Sequence, residues 1–236
     1  MTYELALIIP LHNEAENLET LYFELLQNVP ENHQIVFVDD ASEDQSPLIL
    51  EKIKSSSNRV HILRMNKKIG LGLSILEGIR FSDSNVILVM DSDLTHNPDE
   101  IPKMLDGLTN SSLIVNSRYV SKGIKKPYSI YLTSKLFAIL IRSFFQIQTK
   151  DIFGGFIAFR RRDFEEFFVE RNFNGFGEYS MRLCLFAEKK NLPICELPSV
   201  FRPRAGGTKK SRRIRMFFSY VNATRLYKSN LREDVQ

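Results

Sequence analysis

Val86-Ile87-Leu88-Val89-Met90-Asp91-Ser92-Asp93 is a short apolar run that ends abruptly in two carboxylates. The run is rich in β-branched residues and of strand length, so it reads as a buried strand of a parallel sheet. Open α/β sheets bind ligands just past the carboxyl ends of their strands. Two carboxylates two residues apart at such an end suit a divalent cation, and the cation in turn suits a diphosphate. Taken alone, Asp91-x-Asp93 equally suits a turn and a helix cap. The rest of the chain separates the two readings.

Working outward, Leu5 to Pro10 reads as a first strand stopped by its proline. Asn13 is placed to cap a helix whose first turn carries Glu14 and Glu16, with Leu18, Leu21, Tyr22, Leu25 and Leu26 at helical spacing. Gln34 to Val38 is a second strand, ending in Asp39-Asp40, and Val60 to Leu63 is a third. Helices are expected over 47–53 and 70–81. Strand–helix alternation of this kind implies a mostly parallel sheet flanked by helices. Three strands thus end in Asn13-Glu14, Asp39-Asp40 and Asp91-x-Asp93, which gathers carboxylates at one edge of one sheet. Beyond Pro98 the expected elements are helices over 101–108, 128–148 and 179–189, and strands over 113–118, 156–160 and 194–201.

The 236 residues allow a full core, with 43% hydrophobic and 25% charged residues as in a soluble globular protein. The net charge of +4 suits anionic partners such as nucleotide diphosphates or acidic lipid surfaces. No nucleic-acid-binding motif is present, and nucleic acid is not expected as a partner. Cys184 and Cys195 sit in apolar contexts and read as core residues of a reducing compartment rather than a disulfide. The N-terminal apolar run is too short for a signal peptide, and no uncharged run reaches membrane-spanning length. The expected location is cytoplasmic, peripheral at the inner face of a membrane.

Four segments in order resemble one family: Ile8-Ile9-Pro10-Leu11-His12-Asn13-Glu14, Val38-Asp39-Asp40-Ala41-Ser42-Glu43-Asp44, Gly70-Leu71-Gly72, and Met90 through Pro102. The chain resembles glycosyltransferase family 2, in its dolichol-phosphate mannose synthase-like branch. The resemblance implies a GT-A fold, a nucleotide-sugar donor, Mg2+ or Mn2+, and inverting transfer of a hexose to a polyprenyl phosphate. It implies that Pro10, His12, Glu14, Val38, Asp40, Asp91 and Ser92 line the donor site. Asp91, Asp93 and Thr95 become the metal-site residues, with Thr95 a weak ligand. Asp93, Arg118, Arg204 and Lys210 become the catalytic group. Asn116-Ser117-Arg118-Tyr119 matches the family's Gly-Ser-Arg-Tyr segment, whose guanidinium suits phosphate. Arg204-Ala205-Gly206-Gly207-Thr208-Lys209-Lys210 resembles its Arg-x-x-Gly-x-Ser-Lys loop, with Thr208 one position ahead of the family's serine, so that Lys209 and Lys210 can exchange roles.

The chain departs from the family in three further places. His12 replaces a tyrosine. No arginine occurs near Tyr131 to Ser134, where relatives carry a second phosphate ligand. Arg182 stands near an expected acidic position, with Glu178 four residues earlier on the same face. The missing arginine keeps a hydroxyl acceptor open, on a glycan or lipid-linked oligosaccharide, with Glu178 as its base. A non-catalytic nucleotide-sugar-binding regulatory subunit is the third reading. The apolar 128–148 helix, with Lys135 and Arg142 on one face, suits either a membrane interface or internal packing. Residues 1–208 are expected to form the catalytic domain and 209–236 a basic tail that docks on a membrane or an integral-membrane partner.

Overall fold

The computed structural model describes residues 4–120, 128–175, 177–199 and 202, with side chains of the 128–145 helix described from Lys135 onward. Arg204, Lys210 and the 209–236 tail lie outside the described residues.

Seven strands form one sheet in the order β3-β2-β1-β4-β6-β5-β7. They are β1 (Leu5–Leu11), β2 (His33–Asp39), β3 (Val60–Arg64), β4 (Val86–Val89), β5 (Leu113–Ser117), β6 (Ile157–Arg160) and β7 (Ile194–Pro198). The first four are mutually parallel, β6 runs antiparallel to both neighbours, and β7 is parallel to β5. The sheet is therefore mostly parallel, as the alternation of elements implies.

Alternate side chains of a strand point to opposite faces, and the core divides accordingly. Leu5, Leu7, Ile9 and Leu11 pack with Ile35 and Phe37 on one face. That face is covered by α1 (Ala15–Leu26), α2 (Ser46–Ser56) and α4 (Ile101–Gly107). Ala6, Ile8, Val36 and Val38 pack on the other, under α3 (Leu71–Phe81) and α7 (Glu178–Lys189). The short α6 (Glu170–Phe173) joins this second layer through Phe173. Crossovers of one hand require the covering helix to change face when the strand order reverses. The order runs outward through β1, β2 and β3, then returns to place β4 beside β1. The cleft between β1 and β4 is thus a topological switch point.

Pro10 does not end β1, in contrast to the expectation from sequence. The strand continues to Leu11, with Pro10 opposite Val38 and Leu11 opposite Asp39. The β1–β4 pairing ends at Ile8 and Val89, apart from one bond from Met90 N to Ile8 O at 3.2 Å. Leu11 O, by contrast, accepts from Asp40 N on the β2 side at 2.9 Å. Pro10 has the parity of Ile8, so its missing N–H falls on the β4 side, past the last ladder bond. The strand and its neighbour separate there, which opens the cleft.

The long helix α5 (Tyr128–Phe145) ends three residues early, because Gln146 turns left-handed at φ 59°. β7 stops at Pro198 and not at 201. Both cysteines are free, Cys184 buried and Cys195 half-buried. Among the described residues no helix is long and apolar enough to cross a membrane.

Candidate active site

The loops after β1, β2 and β4 lie at the carboxyl edge of the sheet, and side chains tie the first two to each other. Asn13 Oδ1 accepts from Glu43 N at 2.8 Å, and Ser42 Oγ accepts from Asn13 N at 2.9 Å. Ser46 Oγ accepts from Glu14 N at 3.0 Å. Asn13 therefore braces the β2 loop and does not cap α1. Asp44 does the capping, accepting from Ala15 N at 3.2 Å and from Ser46 N at 2.9 Å. One carboxylate thus serves the first turns of α1 and α2. Burial works against the Asp44 carboxylate, but the hydrogen bonds from Ser46 and Ala15 outweigh it and hold its pKa below the ordinary value.

His12 donates from Nδ1 to Asp40 O at 2.8 Å, which fixes the tautomer and joins the β1 and β2 loops. Glu14 is buried and accepts from Asn17 Nδ2 at 2.8 Å. Asp39 is fully buried; its Oδ1 accepts from Ser42 N at 2.8 Å, and Arg64 Nε stands 3.6 Å from Oδ2. The Asp40 carboxylate accepts from Ile69 N at 2.6 Å and Gly70 N at 3.0 Å. It sits at the N-terminus of α3, where the helix dipole favours negative charge. The Val38 side chain is fully buried in the core against Gly78. Pro10 and Ser92 are also buried at the cleft.

Asp91 and Asp93 follow β4 directly and are half-buried. His96, buried against Phe156 at 5.1 Å between ring centroids, meets Asp91 Oδ2 through Nε2 at 3.2 Å. The imidazole orients Asp91 from behind. Thr95 donates to Asp93 Oδ1 twice, from N at 3.1 Å and from Oγ1 at 2.6 Å. Thr95 thus holds Asp93 in place. Gly155 passes close by. A Cβ there would lie 3.2 Å from Asp91 Oδ2 and 3.4 Å from Oδ1, so its absence keeps the space at the carboxylate open. Among the described residues no cluster of three His, Cys, Asp or Glu side chains could cage a metal. Two carboxylates alone fit Mg2+ or Mn2+, which complete their shell with phosphate and water. The donor set and the open space at Gly155 therefore match a hard divalent ion held jointly with a diphosphate.

Arg118 lies at the end of β5 and is locked by a residue that the motifs do not reveal. Asp151, fully buried, accepts from Arg118 Nε and N at 2.8 Å each and from Nη2 at 2.6 Å. Glu196 Oε1 accepts in turn from Asp151 N at 2.9 Å. Only the opposite edge of the guanidinium points away from Asp151. The available signal was that Asp151 is the only acidic residue between Asp106 and Asp163. Arg182 is also structural, donating from Nη1 to Asn172 O at 3.0 Å and Asn174 O at 2.7 Å. Glu178 starts α7, is buried, and accepts from Gly177 N at 3.0 Å.

The model of the glycosyl transferase family 2 matches residues 6–168, the stretch that supplies all of these loops except α7. The chain belongs to glycosyltransferase family 2. It is 34% identical over 218 residues to a dolichol-phosphate mannosyltransferase of Pyrococcus furiosus, covering 88% of this chain and 59% of that relative. It is 28% identical over 216 residues to a polyprenol monophosphomannose synthase of Mycolicibacterium smegmatis, covering 89% and 81%. These relatives place it in the dolichol-phosphate mannose synthase-like branch. A solved glucosyl-3-phosphoglycerate synthase of Mycobacterium tuberculosis superposes with a TM-score of 0.71 at 13% identity, covering 94% of this chain and 78% of that one. The family member described here thus has the GT-A fold and is a glycosyltransferase.

Proposed function

We propose that this glycosyltransferase moves a hexose, with inversion, from a nucleotide diphosphate sugar to a polyprenyl phosphate at the cytoplasmic face of a membrane, using Mg2+ or Mn2+. The observation that carries the reading is the pair Asp91 and Asp93, held open at the switch-point cleft by His96, Thr95 and Gly155. The relatives' names put mannose first among the sugars to test. A bound divalent ion would neutralise the donor diphosphate. Asp91 and Asp93 would hold it, while the tied β1 and β2 loops would receive the nucleoside.

The acceptor phosphate is already ionised at neutral pH, so one of its oxygens attacks the anomeric carbon without a base. The bond from that carbon to the diphosphate oxygen breaks on the opposite face. The chain's task is positioning and charge stabilisation. A cavity of about 270 Å³ beside Arg118 supports a phosphate acceptor. Its described lining is Tyr119, Lys135, Ala138, Ile139, Arg142 and Lys150, with cations and no carboxylate. Of these cations, Lys135 directly follows the 131–134 stretch that lacks the family's second arginine. Glu178, buried and bonded to its own loop, is poorly placed as a base for a hydroxyl acceptor.

The test is a thermal-shift panel of GDP-mannose, UDP-glucose and related donors, each with and without Mn2+. A donor at 100 times its dissociation constant should stabilise the protein by roughly 2.7 kcal/mol. The expected result is a metal-dependent shift with one donor, abolished in Asp93→Ala. No shift with any donor would instead favour a regulatory, non-catalytic relative.

A further inference from the structure

Arg202 takes no part in the chemistry proposed above, yet it is tied to the loop that carries Asp93. It lies just beyond β7, where the chain crosses the β4–α4 connection. Its backbone N donates to Thr95 O at 2.9 Å. Its Nη2 donates to Asn97 Oδ1 at 2.6 Å, and its Nη1 donates to Glu24 Oε2 on α1 at 2.7 Å. Both partners of the Glu24 pair are about one-third exposed, so this is a clamp at the rim of the cleft and not a core ion pair. Neighbouring bonds act in the same place. Ser199 Oγ donates to Glu100 Oε2 at 2.9 Å, and Asn28 Nδ2 donates to Asp99 Oδ1 at 3.1 Å.

The loop needs such fastening. Leu94, between Asp93 and Thr95, is left-handed at φ 60°, a conformation that persists in a leucine only when its surroundings enforce it. Thr95 and Asn97, the two residues that Arg202 grips, follow immediately. Thr95 in turn gives both its N–H and its hydroxyl to Asp93 Oδ1.

We propose that Arg202 is a positioning residue for the Asp93 carboxylate. It clamps the Thr95–Asn97 segment between α1 and the exit of β7, so that Thr95 presents its two donors to Asp93. The backbone bond would survive substitution, but the guanidinium bridge from Glu24 to Asn97 would not. The functional consequence rests on the metal and donor reading given above; the clamp itself does not.

The test uses the full chain as Arg202→Ala, Arg202→Lys and, as a milder cut of the same bridge, Glu24→Gln. In metal-free protein, amide hydrogen exchange at Thr95 and Asp99 should rise ~10-fold in Arg202→Ala and less in the other two, with β1 amides unchanged. In a Mn2+ titration with saturating donor, the apparent metal affinity should fall ~10-fold in Arg202→Ala, as for other groups that orient metal ligands, and recover in part in Arg202→Lys. Binding of a nucleoside monophosphate without metal should not change. Unchanged exchange at Thr95 and Asp99 would overturn the clamp. Raised exchange with metal affinity within twofold of wild type would overturn its service to Asp93. Wild-type protein without metal-dependent donor binding would overturn the functional reading instead, and the exchange result would still decide the clamp.

Discussion

Asn13, Ala41 and Leu94 are left-handed at φ 55°, 57° and 60°, and each lies within a few residues of the end of β1, β2 or β4. Every strand that feeds the cleft therefore turns through a conformation that side chains other than glycine and asparagine resist. Strain concentrated in this way is typical of sites where geometry matters more than stability. Ala41 is the clean probe, since it has little side chain to lose. Ala41→Gly should raise stability by up to about 1 kcal/mol, seen as a higher urea midpoint with an unchanged slope. A lower midpoint would show that Ala41 is not strained.

Asp44 makes a second residue-scale prediction. Its pKa is held below the ordinary value by hydrogen bonds from Ser46 and Ala15 that exist only in the folded state. Its contribution is therefore complete above the unfolded carboxylate pKa of about 3.9. It disappears as pH falls through the lower folded value. Wild type should lose more stability than Asp44→Asn when the urea midpoint is followed from pH 7 down through that window. Equal losses would mean that the two helix caps add nothing to the charge linkage. The Asp-rich motif was legible in the sequence, but the division of labour within it was not. Asp40 meets the start of α3 and Asp44 meets α1, each through a partner 29 residues away in the chain.

At the level of elements, helix positions followed from apolar spacing because α1, α2, α3, α4 and α7 each cover one face of the sheet. Their ends were less legible. Asn13 has the right chemistry for a cap, but the turn after β1 points its side chain at Glu43 N. Gly72 shows how tightly these elements are set. A Cβ there would come 1.9 Å from the carbonyl oxygen of Phe173 in α6, so α3 can approach α6 only through a glycine. Gly72→Ala should force backbone movement and cost about 1–3 kcal/mol, as overpacking does. Because α3 carries the amides that Asp40 engages, the same variant should weaken donor binding. Calorimetry of unfolding and the donor thermal shift would check the two parts separately.

Across the whole molecule, the face of α5 beside the cationic cavity is apolar and open to solvent. Leu136, Ile139, Leu140 and Phe144 recur at helical spacing, and Leu140 and Phe144 are each 62% exposed. Apolar area of this kind, bordered by Lys135 and Arg142, suits a lipid surface. Leu140→Ser with Phe144→Ser should leave the melting temperature unchanged within about 2 °C, since neither side chain is buried. The same pair should reduce sedimentation with anionic vesicles. Unchanged sedimentation would leave α5 without a role at the membrane.

The sequence by itself determined the fold class, the sheet edge where carboxylates gather and the Asp91-x-Asp93 pair, because apolar period and strand-end chemistry are local properties. Which of those polar residues brace the loops became visible only once distant segments were packed together. The tertiary structure placed Val38 in the core, Asp151 against Arg118 and Arg202 against Thr95 and Asn97. The Asp151 and Arg202 contacts join segments 33 and 105 residues apart in the chain, a distance over which local patterning carries no information.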